Sequence, residues 1–101
     1  MNPKIIIIPG NGNTHVKTDN WFNWLRSQLE THDYPVICQD MPDPELARKD
    51  IWLPHIKSEF QADKNSIIVG HSSGAVATLR FLEKNQLLGA IIIGANYTDL
   101  G

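Results

Sequence analysis

Ser66-Ile67-Ile68-Val69-Gly70-His71-Ser72-Ser73-Gly74-Ala75-Val76-Ala77 is the stretch on which the fold turns. Its first four residues form a short apolar run rich in β-branched side chains, suited to a strand covered on both faces. Residues 75–82, small at their start and apolar throughout much of their length, read as a helix. Between them, Gly70-His71-Ser72-Ser73-Gly74 fits G-x-S-x-G in the strand-then-helix context that a nucleophile elbow requires. Such a turn is sharp enough to force the serine into a strained backbone conformation. Gly70 and Gly74 lack a Cβ, so backbone can approach closely on either side. The turn would lift Ser72 Oγ above the sheet and aim the Ser73 N–H, at a helix N-terminus, toward a substrate oxygen. The plain alternative is a tight strand-to-helix turn that serves packing only.

Working outward, the same alternation continues in both directions. Ile5-Ile6-Ile7-Ile8, stopped by Pro9-Gly10-Asn11-Gly12, is a first buried strand followed by a tight loop. Asp19 or Asn20 is positioned to cap a helix whose Trp21, Trp24, Leu25 and Leu29 share one face. Pro35-Val36-Ile37-Cys38 reads as a second strand, closed by Met41-Pro42-Asp43-Pro44. Asp43 suits an N-cap and Pro44 the first helical position of a helix through Leu46, Ile51 and Trp52. Pro54 should end or kink that helix, with a further turn carrying Ile56 and Phe60. Gly89-Ala90-Ile91-Ile92-Ile93-Gly94 is a fourth strand.

This β-α-β-α-β-α-β order with all-apolar strands predicts a three-layer α/β fold: a four-stranded parallel sheet, order 2-1-3-4, covered by helices on both faces. Right-handed crossovers then set the loops after strands one and three side by side at the carboxyl ends of the sheet. The loop at Asn11 and Gly12 would supply the second oxyanion donor. Helical spacing makes core packing the expected use of Trp21, Trp24 and Trp52, rather than a binding platform.

With 101 residues the chain makes one domain, here residues 1–101, and its 42 % hydrophobic and 20 % charged residues are ordinary for a globular fold. A net charge of −2 with no basic run argues against nucleic acid or an anionic membrane as partner. The isoleucine run is too short for a signal peptide core or a membrane span, which points to a cytoplasmic protein. Cys38 is the single cysteine, so no internal disulfide is expected.

The four histidines do not have metal-ligand spacing, and neither a metal nor a cofactor is expected. His71 adjoins the nucleophile, but neighbours on a turn point apart, so packing is its expected role rather than general base. His15, in the loop after strand one, is the other histidine that could reach the site as a substitute base. His32 and His55 are expected to be solvated.

Taken together, these residues resemble the retinoblastoma-binding protein 9 family of serine hydrolases. The resemblance runs from the first strand to Gly101. It rests on Pro9-Gly10-Asn11-Gly12, Trp21 with Trp24, Met41-Pro42-Asp43-Pro44, Ala47-Arg48, Ile51-Trp52-Leu53-Pro54, Gly70-His71-Ser72-Ser73-Gly74-Ala75, and Tyr97-Thr98 with Asp99-Leu100-Gly101. It implies a compact α/β-hydrolase fold and a Ser-Asp-His triad acting on small esters or amides, with Ser72 as nucleophile and Asn11–Gly12 in the oxyanion region. Two departures are visible. The family's Leu-x-Cys-x-Glu retinoblastoma-binding segment is here Phe60-Gln61-Ala62-Asp63-Lys64, so pocket binding through it is not supported. The resemblance also implies an acid and a histidine after later strands, whereas no histidine follows Ser72 and Asp99 stands too close behind strand four to match that acid.

Three readings follow. The favoured one is the nucleophile-bearing half of a serine hydrolase, inactive or weak by itself because a serine without a base is a poor nucleophile. A second is an active enzyme whose missing groups come from His15 or another chain. A third is a non-catalytic α/β module binding a nucleotide or a protein. The third glycine of a dinucleotide fingerprint is replaced by His15, and no phosphate loop is present. In every reading strand four is an exposed edge, open to self-association.

Overall fold

The computed structural model describes residues 2–94, so Tyr97, Thr98 and Asp99 lie outside the described residues. Within them the elements alternate as expected: β1 (Lys4–Ile8), α1 (Phe22–Thr31), β2 (Val36–Ile37), α2 (Lys49–Pro54), a π-helical turn (His55–Glu59), β3 (Ser66–His71), α3 (Ser73–Phe81) and β4 (Gly89–Ile93). The four strands form one parallel sheet in the order β2-β1-β3-β4. This is the expected 2-1-3-4 order, which right-handed crossovers with helices on both faces favour.

Strand β1 is the centre of the molecule, and its pleat divides the core in two. Ile6 and Ile8 face α2, the π-helical turn and α3, packing with Met41, Trp52, Ile56, Phe60 and Phe81. Ile5 and Ile7 face α1, packing with Val16, Phe22, Cys38 and Val69. A strand with isoleucine at four successive positions satisfies both faces at once, which is why it reads as an uninterrupted apolar run.

Helix α1 corrects two expectations. It starts at Phe22, with Trp21 at the N-cap position and no side-chain cap; neither Asp19 nor Asn20 fills that role. With Phe22 turned into the core, Leu25 and Leu29 follow at three and seven residues on the inward face. Trp24, two residues on from Phe22, is therefore rotated outward and is 65 % exposed. Of the three tryptophans only Trp52 is fully buried.

The second helix is also later than its sequence suggests. Asp43-Pro44 opens a turn, not a helix: the Ala47 N–H donates to the Asp43 carbonyl, and both residues have positive φ, 49° and 50°. The Asp43 carboxylate accepts from the Arg48 N–H and pairs with the Arg48 guanidinium, which holds its carboxyl below the usual range. Leu46 consequently lies on the surface, and the helix begins at Lys49. Pro54 closes α2 as expected, because its missing N–H interrupts the ladder, and the backbone widens into the π-helical turn that buries Ile56. The carbonyls at the end of that turn, Phe60 and Gln61, accept from Lys4 Nζ at 2.8 and 2.9 Å.

Trp52 joins this face of the sheet. It is 1 % exposed, and its Nε1–H donates to the Pro42 carbonyl at 2.7 Å. Trp52→Ala is expected to cost about 3–5 kcal/mol through the cavity it leaves and the carbonyl it strands. A chemical-denaturation midpoint shifted by less than about 1 kcal/mol would show that Trp52 does not anchor this layer.

β4 is the opposite case. Its register places Ile91 beside Val69 and Ile93 beside His71. Ile91, Ile92 and Ile93 are 52, 37 and 37 % exposed, and Leu88 before them 59 %.

Candidate active site

The site is assembled where β1 and β3 end side by side. Parallel pairing runs to Ile8 opposite Gly70, so the loops that follow leave the sheet together. After β3 the chain reverses through Ser72, whose φ of 55° and ψ of −118° lie in a region that L side chains rarely adopt. Its N–H is held by the Ile93 carbonyl at 2.9 Å, and its own carbonyl accepts from Ala75 and Val76 as α3 begins. The strained residue is thus fixed from both sides, by β4 and by the first turn of α3.

The two elbow glycines are required by contact, not by their own φ. A Cβ on Gly74 would lie 2.3 Å from the Ile8 carbonyl oxygen and 2.5 Å from that of Pro9. One on Gly70 would lie 2.6 Å from the Gly74 oxygen and 2.7 Å from Thr78 Oγ1, the hydroxyl that donates to the same Gly74 carbonyl. The close approach of α3 to β1 and β3 is possible only without those methyl groups. Gly10 plays the same part from the other loop, since a Cβ there would meet Ser72 Cβ at 3.1 Å and Ser72 Oγ at 3.5 Å. Its steric role is a long-range fact that Pro9-Gly10-Asn11-Gly12 does not reveal beyond marking a turn.

Of the residues expected around an oxyanion, Ser73 and Asn11 meet at this corner. Ser73 Oγ donates to Asn11 Oδ1 at 2.8 Å across 62 residues of sequence, stitching the two loops together. That bond gives the Ser73 hydroxyl a structural task. Gly12 departs from its expected role: its N–H donates to the Pro44 carbonyl at 2.7 Å, so it is turned toward the loop after β2. The Asp43–Arg48 pair stabilises the turn that carries that carbonyl. The backbone N–H groups of Asn11 and Ser73 have no protein acceptor among the described residues.

His71 points away from Ser72 into the α1 face. Its ring packs edge-on against Trp21 and Phe22, at centroid distances of 5.6 and 5.8 Å, and its buried Nδ1 has no hydrogen-bond partner among the described residues. His15 is exposed, with Nδ1 3.0 Å from Thr14 Oγ1 and its N–H on the Asp19 carboxylate. Among the described residues its hydrogen bonds stay within its own loop. The structure therefore brings together Ser72, Ser73, Asn11 and the three glycines 10, 70 and 74, and it sets no histidine in hydrogen-bond contact with Ser72 among the described residues.

Comparisons with known proteins bear on the family and the fold. A family model described as serine hydrolase matches residues 5–98. The Serine hydrolase RBBP9 of Rattus norvegicus is 42 % identical over 99 residues, covering 97 % of this chain and 53 % of its own length. The Putative hydrolase YdeN of Bacillus subtilis is 34 % identical over 84 residues, 79 % of this chain and 44 % of its own. The crystal structure of the ydeN gene product superposes with a TM-score of 0.72 at 32 % identity, over 89 % of this chain and 48 % of the other. A putative YdeN-like hydrolase from Pectobacterium atrosepticum shares the fold at 20 % identity, with a TM-score of 0.68 over 98 % of this chain and 52 % of that one. The chain spans about half the length of the curated relatives it matches.

Proposed function

Because the chain belongs to the serine hydrolase family, we propose that Ser72 is the nucleophile for hydrolysis of small esters or amides. The observation that carries the reading is the strained Ser72 backbone, at φ 55° and ψ −118°, between a strand and a helix that pack without room for a methyl group. In the reaction Ser72 Oγ forms a bond to the acyl carbon while its proton passes to a base. The carbonyl oxygen becomes an oxyanion, held by the N–H groups of Ser73 and Asn11. Collapse expels the alcohol or amine with a proton, and water then cleaves the acyl-serine.

The base and its acid partner are not supplied by the residues gathered at the site. We assign them to a segment equivalent to the remaining length of the relatives, in the same polypeptide or another. On this reading the 101 residues by themselves acylate slowly or not at all. Substitute catalysis by His15 would require a contact with Ser72 that its loop does not make among the described residues. We place the protein in the cytoplasm, where a lone reduced Cys38 is the ordinary state.

The test is fluorophosphonate labelling read by intact mass, with circular dichroism to verify folding. Labelling that requires Ser72 supports the reading. Labelling that persists in Ser72→Ala overturns it.

Association is proposed at the β4 edge, with a second copy of this chain as occupant. Leu88, Ile91 and Ile93 are exposed, and an edge strand can pair with its copy about a two-fold axis. Ile91→Lys is expected to convert a dimer into a monomer on size-exclusion chromatography with light scattering. A wild-type chain that is monomeric at high concentration would rule the dimer out.

A further inference from the structure

At the end of α3 opposite Ser72, a groove of about 680 Å³ opens between α2 with its π-helical continuation and the C-terminal end of α3. One wall carries Lys49 and Lys57, the other Arg80 and Lys84. Leu53, partly buried, and Pro54, exposed, give the α2 wall its apolar part. Two carboxylates, Asp50 and Glu83, also border it.

The charge here runs against the rest of the molecule. The groove gathers four of the nine Lys and Arg but only two of the eleven Asp and Glu, leaving five cations against nine acids elsewhere. None of the four cations takes part in a salt bridge or a side-chain hydrogen bond among the described residues, where Arg26 and Arg48 do. Lys49 and Lys57 stand eight residues apart with Leu53 midway, and Arg80 and Lys84 four apart, so each wall carries two cations. Four cations against two carboxylates leave the groove a formal excess of two positive charges, which an anion laid between the walls would offset. Placement of cations near the α3 C-terminus complements the helix dipole and accounts for Arg80 and Lys84 in part. It does not account for Lys49, in the first turn of α2, where a cation is disfavoured.

We propose that this groove is a docking site for an acidic peptide segment of a partner protein, with carboxylates toward both walls and an apolar side chain on Leu53 and Pro54. The concave shape, with Leu53 and Pro54 among its lining, favours a peptide over a lipid surface, which would need its cations on a convex face. Because the groove sits a helix length from Ser72, on the order of 12 Å along the α3 axis, docking leaves the candidate active site open. The proposal does not depend on the catalytic reading.

The experiment uses a fluorescein-labelled hexapeptide of four glutamates around a central leucine pair, with fluorescence anisotropy against the full chain. Its control replaces the glutamates by lysines. Binding of the acidic peptide alone is expected. It should weaken several-fold as salt rises from about 0.01 to about 0.15 M, since the screening length falls from about 30 to about 8 Å. Lys49→Glu with Lys57→Glu should weaken it at least about tenfold, and the milder Arg80→Gln with Lys84→Gln should do so less, both with unchanged circular dichroism. Equal binding of the lysine peptide, or undiminished binding by both variants, would overturn the proposal. So would capture of phosphatidylserine vesicles or heparin by a chain that ignores the peptide, which would assign the groove to another class of anion.

Discussion

Gly74→Ala is expected to cost about 3 kcal/mol or more, a large part of the ~5–15 kcal/mol available to a domain of this size. The added methyl group would meet two carbonyl oxygens of β1 and its loop at 2.3 and 2.5 Å. Both are backbone atoms of the central strand and its exit, so neither can swing aside as a flexible side chain would. Relief requires α3 to move off β1, and that opens the layer holding Phe81, Ile8 and Trp52. In thermal unfolding the loss should appear as a fall in Tm of about 12 °C or more, at about 4 °C or more per kcal/mol for a chain of this length. Gly12→Ala is the matched control. A Cβ there meets nothing within 4 Å, and only the positive φ of 85° is penalised, for about 1 kcal/mol. Equal melting of the two variants would show that the elbow glycine is not packed as described.

Substitutions at Ser72 are expected to separate chemistry from stability. Ser72→Ala removes Oγ and should abolish any fluorophosphonate adduct while leaving the backbone strain in place. Ser72→Gly should abolish it equally, yet raise stability by about 1–2 kcal/mol, because glycine occupies φ 55°, ψ −118° without the side-chain penalty. A strained residue whose relief stabilises the protein is retained for what its side chain does. Adding imidazole as an external proton acceptor should raise labelling of the wild-type chain and of neither variant. A Ser72→Gly variant less stable than wild type would show that the turn is not strained. Imidazole-dependent labelling of Ser72→Ala would move the nucleophile to another residue.

The order of strands and helices was written locally. Ile5-Ile6-Ile7-Ile8 and Ser66-Ile67-Ile68-Val69 announce doubly covered strands by being apolar on both faces. Gly70-His71-Ser72-Ser73-Gly74 announces its turn by the spacing of its glycines. These features need only neighbouring residues and a general rule of handedness, so the parallel sheet and its 2-1-3-4 order were legible from the sequence. So was the convergence of the first loop on the elbow.

What the tertiary structure decided are competitions between partners far apart in the chain. Asn20 and Asp43 each carry a capping side chain, but capping is a local preference worth about 1 kcal/mol, and both residues adopt positive φ in turns instead. Trp24 and Phe22 are both aromatic, and the start of α1 at Phe22 set which of them entered the core. Gly12 and Asn11 were equal candidates to donate to an oxyanion until the Pro44 carbonyl, 32 residues away, took the Gly12 N–H. Gly10 proved to be the glycine against which Ser72 rests. A sequence records which groups can hydrogen-bond or pack. Which of them are already engaged depends on where the sheet places distant segments, and that is settled only when the layers close.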